Sequence, residues 1–273
     1  MNRRVVTALV AIVTSATAAC RTQANYISPQ GPRYIAPPPV RQAITQSDTL
    51  RVVTFNIEFS LQIERAIALM TSDAAMRKAD VILLQEMNEE GTKRIAEAFG
   101  MGYVYYPATW HLKHKRDVGN AILSRFPIIE DAKIILPHVA RNGGMQRITT
   151  AATLRVGNES VRVYSAHLGT MINVGPERRR DQVRALLADA QRYEHVILGG
   201  DMNDPGVSRV AHEAGYLWPT QKGPKTTPIG RFDHILFKGF NVPSTNAAGT
   251  VMDVRGASDH RAVWAVGILQ PTN

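Results

Sequence analysis

Apolar residues in this chain gather in short runs that end in polar side chains, and that rhythm predicts its elements. Leu50–Ile57 (LRVVTFNI), Val81–Leu84 and Val196–Leu198 are mostly apolar stretches of strand length, as expected of strands covered on both faces. Tyr103–Pro107, Asn120–Leu123, Ala132–Leu136, Ile148–Val156 and Val161–Ser165 read as further strands between Gly, Asn or Pro turns. Arg231–Phe237 and Arg261–Val266 complete the set. Ile63, Ala66, Ile67 and Met70 recur at helical spacing and predict a helix from about Leu61 to Met76. A polar helix follows over Glu89–Phe99, and Glu177–Tyr193 carries Val183, Leu186 and Leu187 as an apolar stripe.

The polar residues at the strand ends are of a restricted kind. Asn56, Glu86, His167, Asp201 with Asn203, and Asp259 with His260 follow or adjoin predicted strands, and Asp233 stands near the start of one. The run His195–Asn203 (HVILGGDMN) shows the layout most clearly. Alone it is a strand followed by a turn, because Asp and Asn are ordinary turn residues. Repeated at six places, groups able to bind a metal or move a proton exceed what turn chemistry requires. Gly199 and Gly200 read as positions where the backbone turns or lets another group approach closely.

The chain termini change the picture next. Arg3 and Arg4 precede an apolar run from Val5 to about Ala16 and the small residues Ala18 and Ala19, the pattern of a cleaved export signal over residues 1–19. The run is too short to span a bilayer comfortably. Cys20 is the only cysteine of 273 residues, so no intramolecular disulfide can form. Its place after small residues resembles a bacterial lipoprotein signal, with lipid on Cys20, although Thr17 stands where such signals usually carry Leu. The alternative is ordinary cleavage near Ala19. Residues 20–48 include Pro29, Pro32 and Pro37–Pro39 and read as an extended tether. One globular domain is expected over residues 49–270, and a monomer. Loss of Arg3 and Arg4 lowers the net charge from +9 to +7, still suited to polyanions.

Taken together, the motifs resemble the endonuclease/exonuclease/phosphatase superfamily. TFNIE around Asn56, LLQEM around Glu86, SAHLGT around His167, GGDMND around Asp201, RFDHIL around Asp233 and SDHRAV around His260 occur in the family order. The resemblance spans Leu50 to Val266 and implies a four-layer α/β sandwich of two mainly antiparallel sheets flanked by helices. It further implies a metal-dependent hydrolase of phosphate esters with its site at one edge of the sandwich. A divalent cation offsets the charge that repels a nucleophile from phosphorus. Glu86 is implied as the chief ligand of Mg2+ or Mn2+, with Asn56 and Asp259 supplying further hard oxygens. Glu58 stands where several relatives place Asp, so it is either a ligand or a solvated acid. His260 is implied as general base or proton-transfer group, oriented by Asp233. Asp201 and Asn203 would position the attacking water, and His167 would contact the phosphate or protonate the leaving oxygen.

Substrate is less constrained. Trp110–Arg116 (WHLKHKR) is a basic stretch that could stack a base, touch lipid headgroups or form a solvated hairpin tip. Asn120 and Arg147 are expected to contact substrate. A nuclease fits the positive charge, while a phospholipid or inositol-phosphate hydrolase fits membrane tethering. The chain has no long hydrophobic hairpin of the kind secreted sphingomyelinases use to enter membranes. A non-catalytic phosphate-binding protein would be expected to lack the His or the GDxN carboxylate, and this chain has both.

Overall fold

A computed structural model describes residues 24–39 and 48–271. The expected signal segment 1–19 and Cys20 lie outside the described residues. In chain order the strands are β1 (Ala24–Asn25), β2 (Tyr34–Ala36), β3 (Thr49–Asn56), β4 (Val81–Met87), β5 (Gly102–His111), β6 (Arg116–Ser124) and β7 (Ile128–Ile135). They continue with β8 (Ile148–Val156), β9 (Glu159–His167), β10 (His195–Asp201), β11 (Asp233–Lys238), β12 (Phe240–Asn241), β13 (Ala248–Thr250) and β14 (Val263–Leu269). The helices are α1 (Ile63–Ser72), α2 (Glu89–Phe99), α3 (Pro176–Ala190) and α4 (Arg209–Glu213).

Two sheets result. The first runs β1-β5-β6-β4-β3-β14-β12, with β2 on β5 and β13 on β14, and the second runs β11-β10-β9-β8-β7. Pairing is antiparallel except between β3 and β4 and between β9 and β10. The apolar runs are explained by burial on both faces. In β4, Ile82 and Leu84 pack under α1 and α2 with Ile63, Met70 and Ile95, while Val81 and Leu83 face the second sheet. In β10, Ile197 lies between the sheets, and Val196 and Leu198 pack under α3 against Val183 and Leu186. The order of layers is therefore helix, sheet, sheet, helix, the expected four-layer α/β sandwich.

Local chemistry sets several boundaries. Asn88 caps α2 by accepting from the Gly91 N–H at 3.0 Å, and Gly100 closes it at φ 61°. The helix expected over 61–76 is shorter. Its end is set by Asp73, whose carboxylate accepts from the Ala75 and Met76 N–H groups at 2.9 and 3.0 Å and turns the chain into a separate 3-10 turn, Met76–Lys78.

Part of the expected tether is packed. β1 and β2 both pair with β5, and Lys133 donates to the Tyr26 and Gly31 carbonyls at 3.2 and 2.7 Å. Residues 24–39 thus extend the first sheet. Their prolines suggested solvated chain, but alternating Tyr, Ile and Ala suffices to cover a sheet edge. Residues 40–47 lie outside the described residues.

Candidate active site

Strand register assembles the site. Asp201 is opposite His167 in the β9–β10 pair and opposite Asp233 in the β10–β11 pair, so three adjacent strands present their functional residues at one level. In the first sheet Asn56 ends β3 opposite Gln85 of β4. The β4–β6 register shifts between Leu84 and Met87, and Glu86 at φ 56° occupies that irregularity, which redirects its side chain. The residues on either side of the bulge hold it. Gln85 accepts from Thr54 and donates to Ser165 Oγ at 3.0 Å, bridging the two sheets.

The close approach expected at the glycines of the GGD segment is made by neighbouring strands. Gly200 has φ 142°, and a Cβ there would lie 1.9 Å from the Ala166 carbonyl oxygen; at Gly199 it would lie 2.6 Å from a Leu83 methyl. Both positions require glycine because β9 and the facing sheet approach closely.

Asp201 is the hub. Its Oδ2 accepts from Asn56 Nδ2 at 3.1 Å and lies 3.4 Å from His167 Nε2 and 3.7 Å from His260 Nε2. Its Oδ1 accepts from the Asn203 N–H at 2.9 Å. Asn203 donates in turn to the Leu168 carbonyl at 3.0 Å, so its side chain fixes the loop after β9. His260 Nδ1 donates to Asp233 Oδ2 at 2.9 Å. Ser258, which the motif reading passed over, links this motif to β3: its Oγ donates to the Asn56 carbonyl at 2.7 Å and accepts from the His260 N–H at 3.1 Å.

Arg147 joins the site through His167, with Nη1 at 3.1 Å from Nδ1. A guanidinium only donates, so Nδ1 accepts and the ring proton sits on Nε2. That N–H points toward Asp201, and toward Glu86 Oε1 at 3.9 Å. Asn120 lies beside this pair, donating to the Ile148 carbonyl at 2.8 Å and tying β6 to β8.

Burial and charge divide the titrating groups. Burial pulls the His260 cation down, but Asp233, Asp201 and Asp259 outweigh it and raise its pKa to about 10. Burial holds His167 well below its ordinary value, with Arg147 and His260 adding to the effect, so it stays neutral. Burial raises Glu86 to about 7, partly opposed by Arg147 and reinforced by Asp201. Asp201 is also raised, by burial and then by Asp233.

The donors around Glu86 suit a hard cation. Glu86 Oε2 accepts from the Phe59 N–H at 3.2 Å, and Oε1 lies 3.9 Å from His167 Nε2. Exposed Asp259 is near enough to raise the Glu86 pKa, and the Asn56 amide oxygen, which also accepts from the Glu58 N–H, adds a neutral donor. Two carboxylates and an amide oxygen are hard donors of the kind a divalent cation takes. Asp201, Asp233 and His260 also place ligand atoms within 4.8 Å of one another, but Asp233 and His260 use their facing atoms on each other. Among the described residues no hydrogen bond or ion pair joins the Glu58 carboxylate to Glu86. Its charge acts on His114, opposing the depression that burial, Lys113 and Arg116 cause there.

The basic WHLKHKR stretch is the β5–β6 hairpin tip. His114 stacks on both His111 and Phe59, and His111 lies tilted against Phe59, at centroid distances of 4.5–4.7 Å, while Arg116 Nη1 donates to the Phe59 and Ser60 carbonyls at 3.1 and 3.0 Å. The tip thereby holds the loop bearing Glu58, Phe59 and Ser60, all three at positive φ. Trp110 stays partly exposed at the end of β5, facing Ala24 and Asp117 on either side.

A two-sheet sandwich with carboxylates and imidazoles converging on one edge defines a hydrolase-type scaffold. This chain belongs to the Endonuclease/Exonuclease/phosphatase family, whose model matches residues 53–260 and whose members are generally phosphoester hydrolases. No curated protein matched. Solved structures share the fold at low identity. An endonuclease/exonuclease/phosphatase from Beutenbergia cavernae DSM 12333 superposes with TM-score 0.65 at 20% identity, covering 81% of this chain and 72% of that one. D. rerio TDP2 complexed with single strand DNA product gives TM-score 0.60 at 18% identity, covering 80% and 98%. The human Nocturnin catalytic domain with bound sulfate gives TM-score 0.60 at 20% identity, covering 85% and 99%.

Proposed function

We propose that the protein is an exported, divalent-cation-dependent hydrolase that cleaves phosphate esters by in-line attack of water, with no covalent enzyme intermediate. The observation that carries this reading is the convergence of Glu86, Asp201, the His260–Asp233 pair and the Arg147–His167 pair at one sheet edge. Glu86, with Asn56 and Asp259, would hold the cation, which supplies Lewis acidity toward the phosphoryl oxygens. The electrostatic balance favours Asp201 over His260 as acceptor of the water proton. His260, held as an imidazolium by Asp233, and the Nε2–H of His167 then present donors to a phosphoryl oxygen. Asn203 keeps Asp201 in place through its N–H.

Export is supported by the basic, apolar and small-residue order of residues 1–19, and anchoring by Cys20 following it. A nuclease is supported by the net charge of +9, or +7 after loss of Arg3 and Arg4, and by a neighbour that holds single strand DNA. A hydrolase of membrane-borne esters is supported by exposed apolar side chains on the loops around the site.

A hydrolysis panel of DNA, RNA, sphingomyelin and inositol phosphates with Mg2+ or Mn2+ tests the reading. Activity should appear with one substrate class and vanish with chelator. In His260→Ala it should fall by about 10²–10⁴. Full activity in chelator, or an unaffected His260→Ala, would contradict it.

A further inference from the structure

The N-terminal segment enters the fold at the rim of the candidate active site. Ala24 pairs with Trp110 and Asn25 with Thr109, so the first described residues lie beside the β5–β6 tip. Asn25 also donates to the Gly144 carbonyl at 2.8 Å and accepts from the Gln146 N–H at 2.9 Å, placing β1 against the loop that carries Arg147. Cys20 precedes Ala24 by four residues, a reach of at most about 14 Å. A free tether through residue 48 would have allowed about 100 Å.

The surface at this rim has the make-up of a bilayer contact. Trp110 and Leu112 are exposed on the tip, Val139 on the loop after β7, and Met171 and Ile172, the latter 85% exposed, on the loop after His167. These loops are physically joined: the Arg141 N–H donates to the Asn173 carbonyl at 3.2 Å, linking the second loop to the third. Exposed Lys113, Lys115 and Arg141 stand among the apolar residues. Apolar side chains interleaved with cations favour the boundary between acyl chains and anionic headgroups.

We propose that this rim is a membrane-docking surface that sets the active site against an anionic phospholipid bilayer, so that phosphate esters carried in the membrane are the favoured substrates. The substrate part rests on the hydrolase reading above; the docking part does not. A short link from Cys20 would then press the site onto the surface instead of holding it clear.

The test uses the full chain with Cys20→Ser, which removes any lipid, and sedimentation with phosphatidylcholine vesicles containing phosphatidylglycerol. Vesicle binding should be present at low salt and weaken as salt rises. Leu112→Glu with Ile172→Glu should reduce partitioning by about tenfold or more, with hydrolysis of a small soluble phosphodiester unchanged. Lys113→Ser with Lys115→Ser should flatten the salt dependence without touching the apolar contacts. Absence of vesicle binding, or binding that survives Leu112→Glu with Ile172→Glu, would overturn the docking surface. So would binding of a single-stranded oligonucleotide, without vesicle binding, that is lost in the Lys113→Ser, Lys115→Ser protein. Vesicle binding with no hydrolysis of any ester would leave docking standing and refute the hydrolase reading instead.

Discussion

His260, paired with Asp233, and Asp201 exchange the roles their residue types suggest. A histidine beside a carboxylate suggests a base, yet a base must be unprotonated, and Asp233, Asp201 and Asp259 hold His260 in its cationic form up to about pH 10. Asp201 is raised as well, by burial and then by Asp233, but only to about 6, so near neutral pH it is ionised and able to accept a proton. Activity of the cation-loaded protein should therefore rise with pH as Asp201 ionises and fall as His260 loses its proton near 10. Asp233→Asn removes the main group that raises His260, so the alkaline limb should move down toward neutrality and the bell should narrow. A pH–rate profile of both proteins checks this. A profile that only rises through the His260 titration would make His260 the base after all.

At the scale of elements, the link between the N-terminal strand and the Arg147 loop carries the clearest consequence. Two hydrogen bonds from Asn25 fix Gly144 and Gln146, next to the arginine that sets the His167 tautomer. Asn25→Ala should accelerate hydrogen exchange at the Gln146 amide and lower kcat more than it raises KM. In an Arg147→Ala background it should add little further loss, because contacts that act through one residue are not additive. Equal losses in both backgrounds, measured as kcat/KM, would show that Asn25 acts only on general stability.

For the molecule as a whole, the raised carboxylates make folding and cation binding interdependent. Glu86 ionises near 7 in the fold against an ordinary value of 4.5, so the native state holds an extra proton between these values and loses stability as pH rises through them. His260 has the same sign of pH dependence over a higher window: its pairing stabilises the fold fully below 6.5, and that contribution is lost as pH rises through about 10. A bound cation relieves the Glu86 penalty. Mg2+ or Mn2+ should therefore raise Tm, and by more at about pH 8 than at about pH 5.5. Calorimetry at the two pH values, with Glu86→Gln as control, measures the difference. An equal rise at both, or one retained in Glu86→Gln, would place the cation elsewhere.

Strand positions, and the polar residues that would stand at strand ends, were legible in the sequence because both depend on short-range pattern. Doubly covered strands such as Val81–Leu84 must be apolar throughout, and an oxygen- or imidazole-bearing residue at such a strand's end has few structural reasons to be there. What each residue does was decided only in three dimensions. The bulge that redirects Glu86, the arginine that fixes the His167 tautomer, and the carboxylates that keep His260 charged come from segments far apart in the chain. The same holds for residues 24–39, whose prolines suggested a tether while β5 offered an open edge for them to pair with. Composition sets which residues can be buried or charged; the neighbours that shift a proton or complete a sheet are supplied by the fold.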